Sequence, residues 1–212
     1  MDGVILDTEK LYVRFWCEAA QFYGYPMTTN HALSIRSMAR PFAIKRLEGY
    51  FGADFDYYAV HDKRIELMDT YIEQNGIEAK DGAKELLSWL KQNGYRVALA
   101  TATAPKRTEK YLQRLDLYKY FDKIVCASMV EHGKPEPDIY LKAAQLLELE
   151  PSECIALEDS QNGIKSASSA GCKTVMVPDL DEPDSEIMPL LFDVANGLCD
   201  VKRIIKSVNN AL

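Results

Sequence analysis

The chain has 212 residues, 47% of them hydrophobic, and a formal charge of −7. That is enough apolar material for a substantial core in one or two domains. The acidic balance argues against a nucleic-acid or anionic-membrane partner, since both need a basic surface. The apolar stretches fall well short of the roughly 18 residues of a membrane-spanning helix, and the acidic N-terminus lacks the basic start of a secretory leader. A cytoplasmic protein is expected. Cys17, Cys126, Cys154, Cys172 and Cys199 are widely spaced with no C-x-x-C pair, so they are expected as reduced, mostly buried thiols.

The chain opens with Met1-Asp2-Gly3-Val4-Ile5-Leu6-Asp7-Thr8. A helical region follows. Leu11, Phe15, Ala19 and Phe22 recur at spacings of three and four, which predicts one buried helix face over Glu9 to Phe22. Tyr25-Pro26 breaks it, Pro41 opens a second helix, and Tyr57 to Gln74 reads as a third. From Asp81 onward the pattern changes. Short apolar runs at Val97 to Ala100, Ile124 to Ala127, Cys154 to Leu157 and Thr174 to Val177 read as buried parallel strands. Between them lie amphipathic helices at Ala83 to Lys91, Lys106 to Leu115, Pro137 to Leu147 and Ser160 to Ala170. The alternation predicts an α/β fold with a doubly wound parallel sheet.

Such sheets bind ligands beyond the carboxyl ends of their strands. The polar residues at those ends are therefore the candidates. Thr101 closes the first run, ahead of a helix near Pro105, and a hydroxyl with free N–H groups there can cradle a phosphate. By itself it could equally be a strand-end or capping residue. Lys134 stands in Gly133-Lys134-Pro135-Glu136-Pro137-Asp138, where two prolines restrict the loop and hold a cation at the ligand face. Glu158-Asp159 ends the third run, and its paired carboxylates suit Mg²⁺ or the N-terminus of the following helix. Asp179, Asp181, Glu182 and Asp184, interspersed with Pro178 and Pro183, read as a solvated loop.

Hydroxyl, lysine and acid pair, in this order, resemble motifs two to four of the haloacid dehalogenase superfamily. The segments Leu99-Ala100-Thr101-Ala102-Thr103, Gly133 to Asp138 and Leu157-Glu158-Asp159-Ser160-Gln161-Asn162-Gly163-Ile164 resemble the β-phosphoglucomutase-like branch. Met1-Asp2-Gly3 resembles the end of its first motif, Asp-x-Asp-Gly. The resemblance implies a core of residues 1–8 and 79–212 with a small α-helical cap, residues 9–78, inserted after the first motif. It implies Mg²⁺ held by Asp159, by the backbone carbonyl of Asp2 and by the motif's first aspartate, with Glu158 on the ion or behind it. That aspartate, the nucleophile, would lie one position ahead of Met1. Asp2 would be the general acid and base; Thr101 and the Ala102 amide would bind phosphoryl oxygens, and Lys134 would offset their charge. In that family a strand ahead of the motif lies between those ending at Thr101 and Glu158, and Val4-Ile5-Leu6 is too short and too late to replace it. A truncated start and a vacant central sheet position are expected.

In this branch the cap selects the substrate. Arg40 matches a substrate-binding arginine, suited to a second phosphate or to sugar hydroxyls. Arg36, Lys45 and Arg46 read as a solvated helix surface. Tyr12 stands where the mutases carry a histidine, and the mutases' cap lysine has no clear counterpart, though Lys63 and Arg64 lie nearby. A phosphatase of a small phosphomonoester, a sugar phosphate above all, is favoured over a phosphomutase. A non-catalytic phosphate-binding protein on the same fold and a receiver-like or flavodoxin-like module are the other readings. The partner is a small phosphorylated metabolite, and the chain a monomer or weak dimer. His31, His61 and His132 are scattered and expected at the surface or in capping roles.

Overall fold

The computed structural model describes residues 1–209. Its helices are α1 (Glu9–Phe22), α2 (Thr29–Ser34), α3 (Arg40–Phe51), α4 (Tyr57–Asn75), α5 (Ala83–Gln92), α6 (Pro105–Arg114), α7 (Asp138–Leu147), α8 (Gln161–Ser169) and α9 (Leu198–Asn209). The strands are β1 (Ala98–Thr101), β2 (Lys123–Cys126), β3 (Ile155–Glu158), β4 (Lys173–Met176) and β5 (Asp193–Val194). The predicted elements fall within one to three residues of these bounds; α2, α9 and the two-residue β5 are additions.

The first four helices share a core of Val13, Trp16, Ala20, Leu47, Phe55 and Val60. Helices α1 and α4 also send Leu11, Phe15, Met68 and Ile72 into the larger core beneath the strands. Both helices are therefore buried on two sides. Phe22, expected on the apolar face of α1, is instead 66% exposed, because it is the last residue of the helix. Its ring carries the Lys63 ammonium at 4.7 Å.

All strand pairs are parallel, as expected, but they form two sheets: β1–β2 and β3–β4–β5. Among the described residues β1 pairs only with β2, and β3 pairs with β4 on one side. The same helices nevertheless cover both. Leu99, Ile155, Leu157 and Val175 pack with α5, α6 and α9, whereas Ala98, Ala100, Val125 and Ala156 pack with α7 and α8. This alternation is the period-two geometry of a strand buried on both faces. Ala98, Ala100, Ile155 and Leu157 are only half-buried, as befits strands with one paired edge.

Residues 1–8 form a compact turn. Ile5 N and Leu6 N donate to the Met1 carbonyl at 2.8 and 3.0 Å, and Asp7 N donates to Glu78 at 3.0 Å. Val4, Ile5 and Leu6 are buried in the main core without joining either sheet. The turn thereby delivers Asp2 to the ends of β1 and β3.

Candidate active site

Helices α1 to α4 and the carboxyl ends of β1 to β3 enclose a cavity of about 530 Å³. Asp2, Thr101, Ala102, Lys134, Glu158, Asp159 and Arg40 all line it. The sequence-predicted candidates are thus brought together, from segments up to 157 residues apart (159 − 2).

Asp2 is held by two hydroxyls. Thr8 Oγ1 donates to its Oδ1 at 2.6 Å, and Thr103 Oγ1 donates to its Oδ2 at 2.8 Å. The side chain is fixed, yet only partly buried, and the Asp2 carbonyl accepts no backbone hydrogen bond among the described residues. Thr101 ends β1, and its hydroxyl accepts from Thr103 N at 3.1 Å, which shapes the turn into α6. Ala102 is exposed at the bend.

Lys134 is buried and pairs with Glu158 Oε1, which also accepts from the Tyr140 hydroxyl. Burial opposes ionisation of Glu158, but the Lys134 ammonium and the Tyr140 hydrogen bond hold its carboxyl below the usual range. Its other oxygen rests on α8 at Gly163, where an added Cβ would meet Oε2 at 2.0 Å. Ser160 caps that helix, accepting from Gly163 N at 3.2 Å. The acid pair therefore lies at a helix N-terminus as well as at a strand end.

Asp159 points the other way, over Gly3, where a Cβ would come within 2.2 Å of its Oδ2. Gly3 has φ +72°, a left-handed conformation suited to glycine. The partner of Asp159 is Arg36, whose Nη2 donates to Oδ2 at 2.6 Å and to the Asp159 carbonyl at 2.9 Å. Arg36 also lies 3.4 Å from Glu9 and 3.6 Å from Asp181. It is 6% exposed, not part of a solvated helix surface, because its partners come from the opposite side of the cavity. Desolvation, only partly offset by Arg36, raises the Asp159 carboxyl to about 7, and burial beside Asp159 raises Glu9 well above its ordinary value. Asp179 pairs with Lys80 at 2.5 Å, so the acidic loop at 179–184 is engaged at the site's edge as well as solvated.

Arg40 is exposed, stacked 5.7 Å from the Tyr58 ring. Arg64, which the sequence placed with Lys63 near the position of the mutases' cap lysine, is buried in the cavity wall beneath Tyr12, 5.0 Å from its ring. His61, expected at the surface, is half-buried in the same wall and stacks on Tyr57. His31 caps α2 and His132 binds Asp138 at the surface, as expected of them. All five cysteines are free, but they are not mostly buried: Cys126 is buried, Cys17, Cys154 and Cys172 are half-buried and Cys199 is exposed.

No three His, Cys, Asp or Glu side chains among the described residues are arranged to hold a metal alone. The donor set nevertheless fits Mg²⁺, a hard cation that often takes one or two protein carboxylates and completes its shell with substrate phosphate and water. Asp159 and the uncommitted Asp2 carbonyl are oxygen donors beside an excess of buried carboxylates. No helix among the described residues is long and apolar enough to cross a membrane.

The model of a haloacid dehalogenase-like hydrolase matches residues 1–171. A phosphorylated carbohydrates phosphatase of Thermotoga maritima is 32% identical over 179 residues, covering 82% of this chain and 81% of that protein. A probable pseudouridine-5'-phosphatase of Drosophila melanogaster is 35% identical over 84% of this chain and 79% of its own length. Among solved structures, β-phosphoglucomutase from Clostridium difficile superposes with a TM-score of 0.82 at 24% identity, covering 99% of this chain and 95% of that one; this likeness is one of fold.

Proposed function

The chain belongs to the haloacid dehalogenase-like hydrolases and is an enzyme of their phosphatase type, and we propose that it is a Mg²⁺-dependent phosphatase of a small phosphomonoester, a sugar phosphate above all. The observation that carries this is Asp2, clamped by Thr8 and Thr103 between the phosphate-binding turn at Thr101 and the carboxylate of Asp159. In the family's pattern the attacking carboxylate belongs to an aspartate two positions before the general acid and base. Its attack on phosphorus forms an acyl phosphate and releases the sugar oxygen, which Asp2 protonates. Asp2 then takes a proton from the water that cleaves the acyl phosphate, returning both carboxylates to their starting state.

The Thr101 hydroxyl and the Ala102 amide orient the phosphoryl oxygens, and Lys134 shares its charge between them and Glu158. Asp159 and the Asp2 carbonyl would hold Mg²⁺, with Glu158 behind them; the ion supplies charge neutralisation to the transferring phosphoryl group. Residues 9–78 act as the cap, with Arg40 contacting the substrate from its rim. Tyr12 supports hydrolysis over a mutase reaction, because its phenol, held protonated by desolvation and stacked on Arg64, stands where the mutases carry an imidazole. We assign the protein to the cytoplasm as a monomer or weak dimer. The test is p-nitrophenyl phosphate turnover by two chains: the 212-residue chain and one extended by an aspartate and a preceding apolar strand. Turnover by the extended chain alone is expected. A folded extended chain that binds phosphate without turnover would favour the binding-protein reading.

A further inference from the structure

Across the cavity from the carboxylates lies a cation without a counter-ion. Arg64 projects from α4 and is 6% exposed, and its Nε and Nη1 have no hydrogen-bond partner among the described residues. Its guanidinium carbon lies 5.0 Å from the Tyr12 ring centre and 5.3 Å from that of Trp16. Its charged neighbour is another cation, Arg107, whose Nη2 is occupied by both Asp69 oxygens at 3.1 Å. A guanidinium does not escape this cost by losing its proton, and a buried charge is costly unless something pairs it. Aromatic faces offer part of that compensation. They leave the two nitrogens unsatisfied.

We infer that Arg64 is the anchor of an anion subsite in the cap, which takes a second negatively charged group, carboxylate or phosphate, at the end of the substrate remote from the phosphoryl group being transferred. The Tyr12 and Trp16 faces exclude water around it, and Arg107 adds positive potential. A cavity of about 530 Å³ accommodates a six-carbon sugar phosphate with such a group. The inference rests on the phosphatase reading above and narrows its substrates from phosphomonoesters in general to doubly anionic ones.

Sorbitol 6-phosphate and 6-phosphogluconate test it, since both are open chains and differ only in carrying a hydroxymethyl or a carboxylate at C1. Calorimetric titration of the full chain in Mg²⁺ should show 6-phosphogluconate binding about tenfold tighter or more, the scale of a hydrogen bond to a charged group. Arg64→Met should abolish that preference, and Arg64→Lys should keep part of it. The unliganded Arg64→Met protein should melt higher than the wild type, because an unpaired buried cation is gone. Equal binding of the two ligands, binding of neither, or an undiminished preference in Arg64→Met overturns the subsite. A lower melting temperature with an unchanged preference makes Arg64 structural and overturns it too. Phosphate release is read separately, in the extended chain. A preference that depends on Arg64 without any release leaves the subsite standing and removes the phosphatase reading; equal release from both ligands does the reverse.

Discussion

The two sides of the cavity handle charge in opposite ways. On the core side the buried carboxylates lie against cations: Lys134 with Glu158, and Arg36 shared between Asp159 and Glu9. On the cap side Arg64 is buried among aromatic rings with no anion beside it. The core side thus keeps more buried carboxylate than cation, an excess that a divalent ion would offset under the proposed function. The cap side is unbalanced and gains from an anion alone. Under the proposed function, reaction chemistry falls to the first arrangement and substrate choice to the second.

The largest expected effect breaks an ion pair of the core side. Lys134→Met leaves Glu158 as a buried carboxylate without its cation, and should cost about 3–5 kcal/mol of stability. For a chain of this size that is a fall of roughly 6–20 °C in melting temperature by calorimetry. Adding Glu158→Gln should recover part of it, since the buried charge is then removed as well.

A smaller effect follows from Asp159, whose carboxyl lies at about 7 in the metal-free protein. The folded chain holds this proton more tightly than the unfolded one, whose aspartate titrates near 4. This residue therefore costs the metal-free protein stability as pH rises from about 4 to 7. Mg²⁺ needs the carboxylate, so its affinity should weaken about tenfold per pH unit below about 7, measured as the Mg²⁺-induced shift in melting temperature. A pH-independent shift would mean that the ion does not touch Asp159. Smallest is Arg40→Ala. An exposed arginine stacked on Tyr58 should change KM a few-fold, about 1 kcal/mol or less, with kcat little altered.

The two sides also differed in how far they could be read from the sequence. Thr101, Glu158 and Asp159 stand where strands end and Lys134 in the loop that follows β2, so the rule for open parallel sheets located them without coordinates. Arg36 and Arg64 were obscured because a single arginine in a helical stretch usually faces water. A signal for Arg64 existed: Tyr57, Val60, Arg64, Met68 and Ile72 form one stripe of α4 at spacings of three and four, and the cation occupies an inward position. Arg36 had no such signal, since its principal partner is 123 residues away. The four apolar runs predicted the strands, but β5 has two residues and no run to betray it.

The measurement closest to the central claim is a table of kcat/KM for wild type, Asp2→Asn and Arg64→Met, made in the extended chain across several sugar phosphates with and without a second anionic group. Loss of the general acid and base should lower every substrate by a similar factor of about 10²–10⁴, leaving their order intact. Loss of Arg64 should reorder them, with the doubly anionic substrates falling most. An Asp2→Asn protein that keeps its rate, or one in which the order changes while Arg64→Met preserves it, would contradict the account.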